Sequence, residues 1–228
     1  MNGICRTVLA VFLVLSGVAV ASAAQFGDAR YAIKADDGSE MTNFDLSPEL
    51  MKRMQGLESL ITVGNPSGDV TLYQFYDLNC PFCRDAAHDV DALLKADPKL
   101  KLVFVPYPVL SVASVQGGMV EVIAARMLGP EKFMELHRRI YSGRGVIDGM
   151  RVLDEAIKLG VDRDKLLAQA QTEATLNILK SHADFGSAAK LVATPAYVIN
   201  GVAIVGHPGR RALGSVVASV RRCGKVVC

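Results

Sequence analysis

The stretch "YQFYDLNCPFCRDAAHDV", Tyr73 to Val90, places two cysteines two residues apart at the junction of two sequence patterns. An apolar run rich in β-forming residues precedes Cys80, and a helical pattern follows Cys83. We therefore expect a strand that ends just before the pair and a helix that begins at it. Such a pair can be a metal knuckle, a structural bridge or a redox couple, and the choice depends on what surrounds it.

Composition limits the classes of protein to consider. The chain has 228 residues, of which 50% are hydrophobic and 21% charged, enough for one sizeable domain with an insertion. The formal net charge is only +2, and basic pairs such as Arg138-Arg139 are scattered along the chain. Scattered pairs indicate solvated faces rather than a groove that follows phosphates, so nucleic acid is not a predicted partner.

Residues 1–24 predict a secretory signal peptide. Arg6 precedes an apolar run, Val8 to Val20, and small residues follow in "ASAAQ" at 21–25. An apolar run of about a dozen residues between a basic start and small residues is typical of a cleaved signal, and it is short for a membrane span. Cleavage would remove Cys5 and leave four cysteines, an even number, in an oxidising compartment.

Residues 25–60 are predicted to form an arm and a helix. The polar stretch 25–46 predicts a linker or an arm that becomes ordered on contact. Ser47 and Pro48 form a typical helix start. Apolar residues then recur at three- and four-residue spacing: Leu50, Met54, Leu57 and Ile61. This face either packs on its own domain or forms a homo-oligomer through residues 25–61.

Residues 61–222 are predicted to form one α/β domain with a helical insertion at about 111–190. Strands at 70–76 and 100–108 lie on either side of a helix, which predicts a parallel β-α-β unit. Four helices are predicted in the insertion: 112–128, 130–141, 149–159 and 163–184. A strand pair around Asn200-Gly201, a strong hairpin signal, and a helix at 209–222 complete the domain.

Cys80 is expected at the helix N-terminus, where unpaired backbone N–H groups and the helix dipole favour negative charge. Free cysteine titrates near ~8.5, and such positions lower the pKa to roughly 3.5–7.5. A stabilised thiolate is also a good leaving group, which makes the disulfide form oxidising. Cys83, one turn further along, is placed to close the ring or to attack a mixed disulfide. Pro81 fits the first helical turn, where its missing N–H costs nothing.

The other interpretations of the pair are weaker. A zinc or copper knuckle needs more ligands, which Cys223 and Cys228 could supply, but Pro81 and the strand–helix context fit it poorly. A purely structural bridge would stabilise the chain little, because the loop it closes is very small. The redox couple is preferred, and a Cu(I) carrier that uses the soft thiolate pair is the alternative from another class of protein.

Two segments together carry a family resemblance: "DVTLYQFYDLNCPFC" and, beyond the helical insertion, "VATPAYVINGVAIVGHPG". In this order they resemble the DsbA-like family of periplasmic thiol:disulfide oxidoreductases, and in particular the branch with the suppressor-of-copper-sensitivity proteins. The resemblance covers about residues 60–222. It implies a thioredoxin fold with an inserted all-helical subdomain, a periplasmic location and no cofactor beyond the redox-active disulfide.

The resemblance also implies roles for individual residues. Cys80 would be the nucleophile and Cys83 the resolving thiol. Thr194 and Pro195 would form the loop that faces the disulfide, with Pro195 cis. A proline there leaves no N–H near the sulfurs, and the Thr194 backbone would pair with an incoming extended polypeptide.

Three further positions are expected to modulate the site: Gln74, Pro81 and Phe82. Gln74 lies six residues before Cys80, where many members of the family carry a buried acid that relays protons. Glutamine cannot titrate, which puts an acid-assisted relay in doubt but not thiol exchange itself. We expect Gln74 to be a core amide whose hydrogen bonds are satisfied.

The function predicted from these residues is the exchange of a Cys80–Cys83 disulfide with cysteines of secreted proteins, with the enzyme as oxidant. The expected partners are reduced or unfolded secreted polypeptides and a membrane redox partner of DsbB or DsbD type. An isomerase or reductase of the same fold is the enzymatic alternative, because all three activities share this fold.

For the remaining cysteines and histidines, the sequence predicts structural rather than catalytic roles or indicates no role. Cys223 and Cys228, in the tail 223–228, are expected to form a local structural disulfide, with a second redox couple as the alternative. His88 is predicted to be a surface or capping residue, because it lies too far along the helix to reach Cys80. His207 lies in a predicted turn, and the sequence indicates no partner for it.

Overall fold

The computed structural model describes residues 30–228, so the predicted signal peptide lies outside the described residues. Six strands and seven helices follow in chain order: β1 Asn43–Asp45, α1 Pro48–Gln55, β2 Ile61–Gly64, β3 Val70–Tyr76, α2 Pro81–Ala96, β4 Leu100–Pro106, α3 Val112–Ser142, α4 Gly149–Lys158, α5 Arg163–Ala170, α6 Glu173–Ala188, β5 Ala196–Ile199, β6 Val202–Val205 and α7 Arg210–Cys223. No helix among residues 30–228 is long and apolar enough to cross a membrane.

The strands form one sheet in the order β1-β6-β5-β3-β4-β2. Strands β3 and β4 are parallel and joined by α2, which confirms the predicted β-α-β unit, and the other pairs are antiparallel. One core contains residues of α2, α3 and α7 on one face of the sheet, and a second contains residues of α1 and α6 on the other. Because both faces are covered, the central strand β3 has buried side chains on both sides.

The hairpin of β5 and β6 turns at Asn200 and Gly201, as predicted. Both residues have positive φ angles, 49° and 80°. A two-residue turn of this kind requires φ > 0 at both positions, and its twist matches that of the flanking strands. The hairpin lies next to β3 through β5 and therefore sets the position of the segment just before it, residues 191–195, against the start of α2.

The prediction that the apolar face of α1 extends to Ile61 is wrong at its C-terminal end. The helix starts at Pro48 with Ser47 as N-cap, as predicted, but it ends at Gln55. Ile61 lies instead in β2, in register with Phe104 of β4. Met54 is completely buried among residues of its own chain. The short helix thus packs on its own domain, as the first interpretation predicted.

The interpretation of residues 25–46 as a linker is wrong for the part that the structure describes. Strand β1 pairs with β6 and forms an edge of the sheet. Asn43 is buried there; its side chain donates to the carbonyl oxygens of Tyr31 and Met41 and accepts from the Tyr31 amide. The hydrogen bonds of Asn43 and the burial of Ile33 and Met41 in the core therefore order this segment.

The helical insertion extends from α3 to α6 and lies within the predicted range. Helix α3 is interrupted at Gly129, whose φ of 73° and ψ of 174° are not helical, so the predicted break at Gly129-Pro130 is confirmed. The predicted single helix at 163–184 is instead two helices, α5 and α6. Thr172 separates them, because its hydroxyl accepts a hydrogen bond from the Thr175 amide and caps the second helix.

Candidate active site

The two cysteines of the CPFC stretch lie at the start of α2, directly after β3 and a short turn. Cys80 is the N-cap residue, with extended backbone angles, and Pro81 occupies the first helical position. Both cysteines are free thiols, so the structure represents the reduced form. Cys80 is 5% exposed and Cys83 only 1%. Both residues are thus buried, Cys80 less deeply than Cys83.

The segment before β5 approaches Cys80 from the other side. In its protonated form, the thiol of Cys80 donates to the carbonyl oxygen of Thr194 at 3.1 Å. The Thr194–Pro195 peptide bond is cis, as the family resemblance implied. Two segments that lie 114 residues apart in the sequence thus meet at one sulfur atom.

The pKa of Cys80 is lowered to about 6. The largest cause is a hydrogen bond from the Cys83 thiol, which stabilises the Cys80 thiolate. Partial burial opposes the shift, whereas the Thr194 side chain and the backbone amides of Cys83 and Phe82 support it. The sulfur makes no conventional capping hydrogen bond. At neutral pH, Cys80 is therefore a thiolate, the form that attacks disulfides.

Cys83 is shifted in the opposite direction. Burial raises the pKa of the Cys83 thiol far above its ordinary value, and the hydrogen bond to Cys80 and the charge there raise it further. The pair therefore holds one proton and one negative charge at neutral pH, and the proton stays on Cys83. This asymmetry supports the predicted roles, with the Cys80 thiolate as the attacking group and the more deeply buried Cys83 thiol as the resolving group.

A buried carboxylate, Asp77, organises the loops around the cysteines, and the sequence analysis missed it. It lies between β3 and Cys80 and is 1% exposed. One of its oxygens accepts from the Asn79 amide at 2.8 Å and from the Ser114 hydroxyl at 2.7 Å. The other accepts from the amides of Val109 and Leu110 at 2.8 and 2.9 Å. The only local signal was an acid between a strand and the CPFC stretch.

Asn79 attaches the helical insertion to the same site. Its side-chain amide donates to the Ser114 hydroxyl and to the carbonyl oxygen of Ile147, and its own oxygen accepts from the Ile147 amide. The residue before Cys80 therefore bonds to the first turn of α3 and to the segment just before α4. The insertion and the redox pair are held in one arrangement.

Gln74 is buried on β3, as expected, but its hydrogen bonds are not all satisfied. Its side-chain oxygen has no hydrogen-bond partner among the described residues. The expectation of a satisfied core amide is therefore wrong for this atom. Polar atoms in this state are costly in a protein core.

Exposed apolar side chains lie on the chain segments that flank Cys80, and we call them the apolar collar. Phe82 stands within the CPFC stretch and is 65% exposed. The other members belong to the segments that bond to Asp77 and Asn79 or that precede Thr194, and they are exposed as well: Val109, Leu110, Val146, Met150 and Val192. Exposed apolar groups in one place mark a binding surface more often than single ones do.

The histidines differ in their surroundings. His88 is exposed on α2, as predicted. His207, for which the sequence indicated no partner, contacts the Tyr197 hydroxyl at 2.8 Å and a carboxylate oxygen of Asp89 at 3.0 Å. The partners come from β5 and α2, which no local pattern relates to the turn at His207.

Cys223 and Cys228 form a disulfide at the end of α7. Val226, inside the loop that the disulfide closes, is buried in the core beside α7. Among residues 30–228, no group of three or more histidine, cysteine or acidic side chains is arranged to hold a metal ion.

Comparison with known proteins agrees with this geometry. A family model described as "Thioredoxin" matches residues 57–218. A thioredoxin-like oxidoreductase from Silicibacter pomeroyi DSS-3 is 27% identical and superimposes with a TM-score of 0.66. The match covers 73% of this chain and 94% of that protein's chain. Comparison with curated proteins gives no match.

Two more distant structures share the fold. The thiol-disulfide exchange protein alpha-DsbA2 from Wolbachia pipientis is 21% identical, with a TM-score of 0.67 and coverage of 75% of this chain and 92% of that one. The catalytic domain of Proteus mirabilis ScsC is 18% identical, with a TM-score of 0.65 and coverage of 75% and 95%.

The chain belongs to the thioredoxin family. Within it, the CPFC stretch opposite Thr194-Pro195 is the site of a thiol:disulfide oxidoreductase, and the fold with its helical insertion is shared with alpha-DsbA2, in agreement with the DsbA-like resemblance of the sequence.

Proposed function

We propose that the protein is a periplasmic oxidant that transfers the Cys80–Cys83 disulfide to cysteines of secreted polypeptides. The observation that carries the proposal is the low pKa of Cys80, about 6, beside the strongly raised pKa of Cys83. A thiolate that is stabilised in the reduced form favours reduction of the enzyme's own disulfide, and this favours oxidation of the substrate.

The reaction has two exchanges. A substrate thiolate attacks the Cys80 sulfur of the oxidised enzyme, the Cys80–Cys83 bond breaks, and Cys83 leaves and takes up a proton. A second substrate thiolate then attacks the substrate sulfur of the mixed disulfide, and Cys80 leaves as the stabilised thiolate. The substrate loses two electrons and gains a disulfide, while the enzyme becomes the dithiol seen here. A membrane redox partner of DsbB type would accept these electrons, whereas a DsbD-type partner would serve a reductase.

The apolar collar supports unfolded or reduced polypeptides as substrates. Its side chains lie on the segments that flank Cys80, and they are exposed apolar groups that an unfolded chain can contact. Extended segments can also pair with the backbone at Thr194, because strand addition depends little on sequence. Substrate choice would thus follow from exposed apolar segments near cysteines, which folded proteins bury.

Two features support the periplasm as the location. The first 24 residues carry the pattern of a signal peptide. The Cys223–Cys228 disulfide is of the kind that persists in oxidising compartments.

The test combines a redox titration with trapping in cells. We expect equilibrium with glutathione to give a potential above about −180 mV, the value of protein disulfide isomerase. Rapid alkylation of cells should find Cys80 and Cys83 oxidised in the periplasmic fraction, and Cys80→Ser should abolish oxidation of a reduced, unfolded protein. A potential near that of thioredoxin, about −270 mV, with the pair reduced in cells would instead indicate a reductase or isomerase.

A further inference from the structure

The helical insertion contains a cleft where α3, the start of α4 and α5 meet. It has a volume of about 220 Å³, and we call it the insertion cleft. Its apolar lining residues are Met119, Val120, Met150, Leu167 and Ala170. Val120 and Ala170 are buried, whereas Met150 is 53% exposed, so the cleft has a core side and a solvent side. An apolar cavity of about 150 Å³ already holds a benzene ring, so this cleft has room for one large apolar side chain.

The polar groups of the cleft lie at its edge. Asp148 is the charged residue among those that line it, and its carboxylate accepts from the Arg151 amide at 2.9 Å as the N-cap of α4. The lining residues Gln116 and Gln171 are exposed. Their amide side chains can donate to and accept from the backbone of a bound polypeptide. The lining as a whole therefore favours an apolar side chain on a peptide over a charged ligand.

Asn79 joins the cleft to the redox site. Its side-chain nitrogen donates to the Ile147 carbonyl oxygen at 2.9 Å, and its side-chain oxygen accepts from the Ile147 amide at 2.8 Å. Asn79 directly precedes Cys80, and Ile147 directly precedes Asp148 of the cleft. Neighbouring Cα atoms are about 3.8 Å apart and the asparagine link spans at most about 8 Å, so the Cα atoms of Cys80 and Asp148 lie within about 16 Å of each other. An extended polypeptide covers this distance in about five residues.

Two glycines pack the cleft closely against the turn before the redox pair. A Cβ atom added to Gly117 of α3 would lie 2.8 Å from a side-chain carbon of Leu78 and 3.2 Å from the Ile147 carbonyl oxygen. One added to Gly149 would lie 3.2 Å from the backbone oxygen of Gln116. Helix α3 thus touches both the turn and the start of α4, and these close contacts fix the position of the cleft relative to that turn.

The cleft also continues the apolar collar. Met150 belongs to both, and Val146 of the collar lies on the same segment, four residues earlier. A polypeptide that is attached to Cys80 and crosses this segment therefore remains on apolar surface until it reaches the cleft. This continuity indicates the substrate polypeptide as the occupant.

We propose that the insertion cleft binds one large apolar side chain of the substrate, at a position within about five residues of the substrate cysteine. The inference rests on the proposed exchange activity and adds a sequence preference to it. When a substrate thiolate attacks the Cys80 sulfur, the Cys80–Cys83 bond breaks and the substrate stays attached through Cys80. An apolar side chain that enters the cleft leaves water, and this stabilises the mixed disulfide relative to one with a polar side chain at that position.

The experiment measures how strongly the protein holds a peptide that is joined to Cys80. The full-length mature protein carries Cys83→Ser, so its mixed disulfides are not resolved. Each model peptide has one cysteine and either phenylalanine or serine at one position, up to about five residues away on either side. Each peptide competes with glutathione for the Cys80 sulfur, and mass spectrometry after an acid quench gives the equilibrium constant. The ratio of the constants for phenylalanine and serine reports the contact of that side chain.

Met119→Gln and Met134→Gln form a matched pair of variants. Both methionines lie on α3, are partly buried and pack on the same core; of the two, Met119 lines the cleft. We expect phenylalanine to raise the constant about tenfold over serine at the best position, less than full burial would give because the peptide loses freedom. Met119→Gln should reduce this ratio to about threefold or less, since a polar wall opposes apolar burial. Met134→Gln should leave the ratio unchanged.

A second measurement does not depend on how well a variant folds. The phenylalanine is replaced by photo-leucine, and the mixed disulfide is irradiated and digested. Mass spectrometry should then find crosslinks in the segments that form the cleft: 116–120, 148–150 and 167–171.

Three results would overturn the inference and leave the proposed function standing. They are equal constants for phenylalanine and serine at every position, a ratio that Met119→Gln leaves at its original value in the folded protein, and crosslinks confined to the segments of Phe82 and Val192. Self-association of the protein that Met119→Gln abolishes would assign the cleft to a second copy of the chain and overturn the inference as well.

The proposed function fails in a different way. A protein that forms no mixed disulfide with any peptide would overturn the exchange activity, and the inference with it. A reducing potential together with the expected peptide preference would overturn the role as oxidant and support the insertion cleft as a substrate site.

Discussion

The sulfur of Cys80 lies 3.1 Å from the carbonyl oxygen of Thr194, and this contact joins the start of α2 to the segment that precedes β5. A substrate cysteine must approach the same sulfur. The Thr194 backbone is therefore next to the bond that forms and breaks, where it can hold the polypeptide on either side of the substrate cysteine. We therefore expect attack and substrate binding to occur at one place.

The separation of the two pKa values predicts which cysteine reacts. We expect iodoacetamide to alkylate Cys80 with an apparent pKa near 6, because the thiol of Cys83 and the surrounding donors stabilise its thiolate. Cys83 should react very slowly at all accessible pH values. Peptide mapping by mass spectrometry measures both rates. Replacing Cys83 by serine should also let mixed disulfides with substrates accumulate; equal alkylation rates at the two cysteines would contradict the assignment.

The Thr194 side chain should contribute to the low pKa of Cys80. It is one of the groups that stabilise the thiolate, after the Cys83 thiol. Hydrogen bonds to charged groups are worth about 1.5–3 kcal/mol, so we expect Thr194→Val to raise the pKa of Cys80 by about one to two pH units. Thiolate absorbance as a function of pH measures the shift. Thr175→Val, which removes a buried hydroxyl in the helical insertion, is the matched control and should leave the titration unchanged.

The stability of the reduced protein should depend on pH in a defined way. The lowered pKa of Cys80 stabilises the fold fully above the unfolded value, about 8.5, and the effect is lost as the pH falls to about 6. The free energy of unfolding should therefore rise by about 1.4 kcal/mol per pH unit in this window. Above about pH 8.5 it should fall, because the unfolded chain loses the Cys83 proton that the folded protein keeps.

Urea unfolding of the dithiol form at a series of pH values measures this curve. The Cys80→Ser variant and the oxidised protein serve as controls, and neither should show the rise below pH 8.5, since neither has the Cys80 thiolate. A dithiol form that loses stability between pH 6 and 8 relative to these controls would contradict the lowered pKa.

The C-terminal disulfide is predicted to stabilise the fold without taking part in exchange. It closes a loop with a sequence separation of five residues and holds Val226 in the core. From the size of the loop, replacement of both Cys223 and Cys228 by serine should lower the free energy of unfolding by about 2 kcal/mol. Denaturant unfolding measures the loss, and the rate of substrate oxidation should stay the same. A large loss of activity in the folded variant would indicate that the disulfide takes part in electron transfer.

The parts of the fold that the sequence predicted are those with local signals. The CPFC stretch, the break at Gly129-Pro130 and the hairpin at Asn200-Gly201 each depend on residues that are close in sequence. Strands β1 and β2 have three and four residues, and their positions depend on pairing with β6 and β4 far along the chain. No local pattern could distinguish them from a linker and a helix end.

The residues of the candidate site also differ in whether a local sequence signal predicted them. The cysteines and Thr194-Pro195 were found because their residue types and spacing are specific. His207 and Asp89 meet across 118 residues, and Asp77 accepts from residues 32 to 37 positions away. Polar contacts of this kind depend on how loops and helices pack in three dimensions. The unsatisfied oxygen of Gln74 likewise depends on what the fold places around it.

Asp77 should be the most sensitive of the residues that the sequence analysis missed. Asp77→Ala leaves four donors without an acceptor, two of them the backbone amides of Val109 and Leu110. Removing one partner of buried hydrogen bonds costs about 1–3 kcal/mol per group that stays unpaired, and partial access of water to the loop reduces the sum. We expect a loss of about 3 kcal/mol or more in the free energy of unfolding. Exchange should also be slower, because the loop at Val109 and Leu110 belongs to the apolar collar.

Urea unfolding and stopped-flow exchange with a model peptide measure the two effects, with the exposed Asp85→Ala on α2 as the matched control. If Asp77→Ala unfolds and exchanges like Asp85→Ala, Asp77 does not hold the site together.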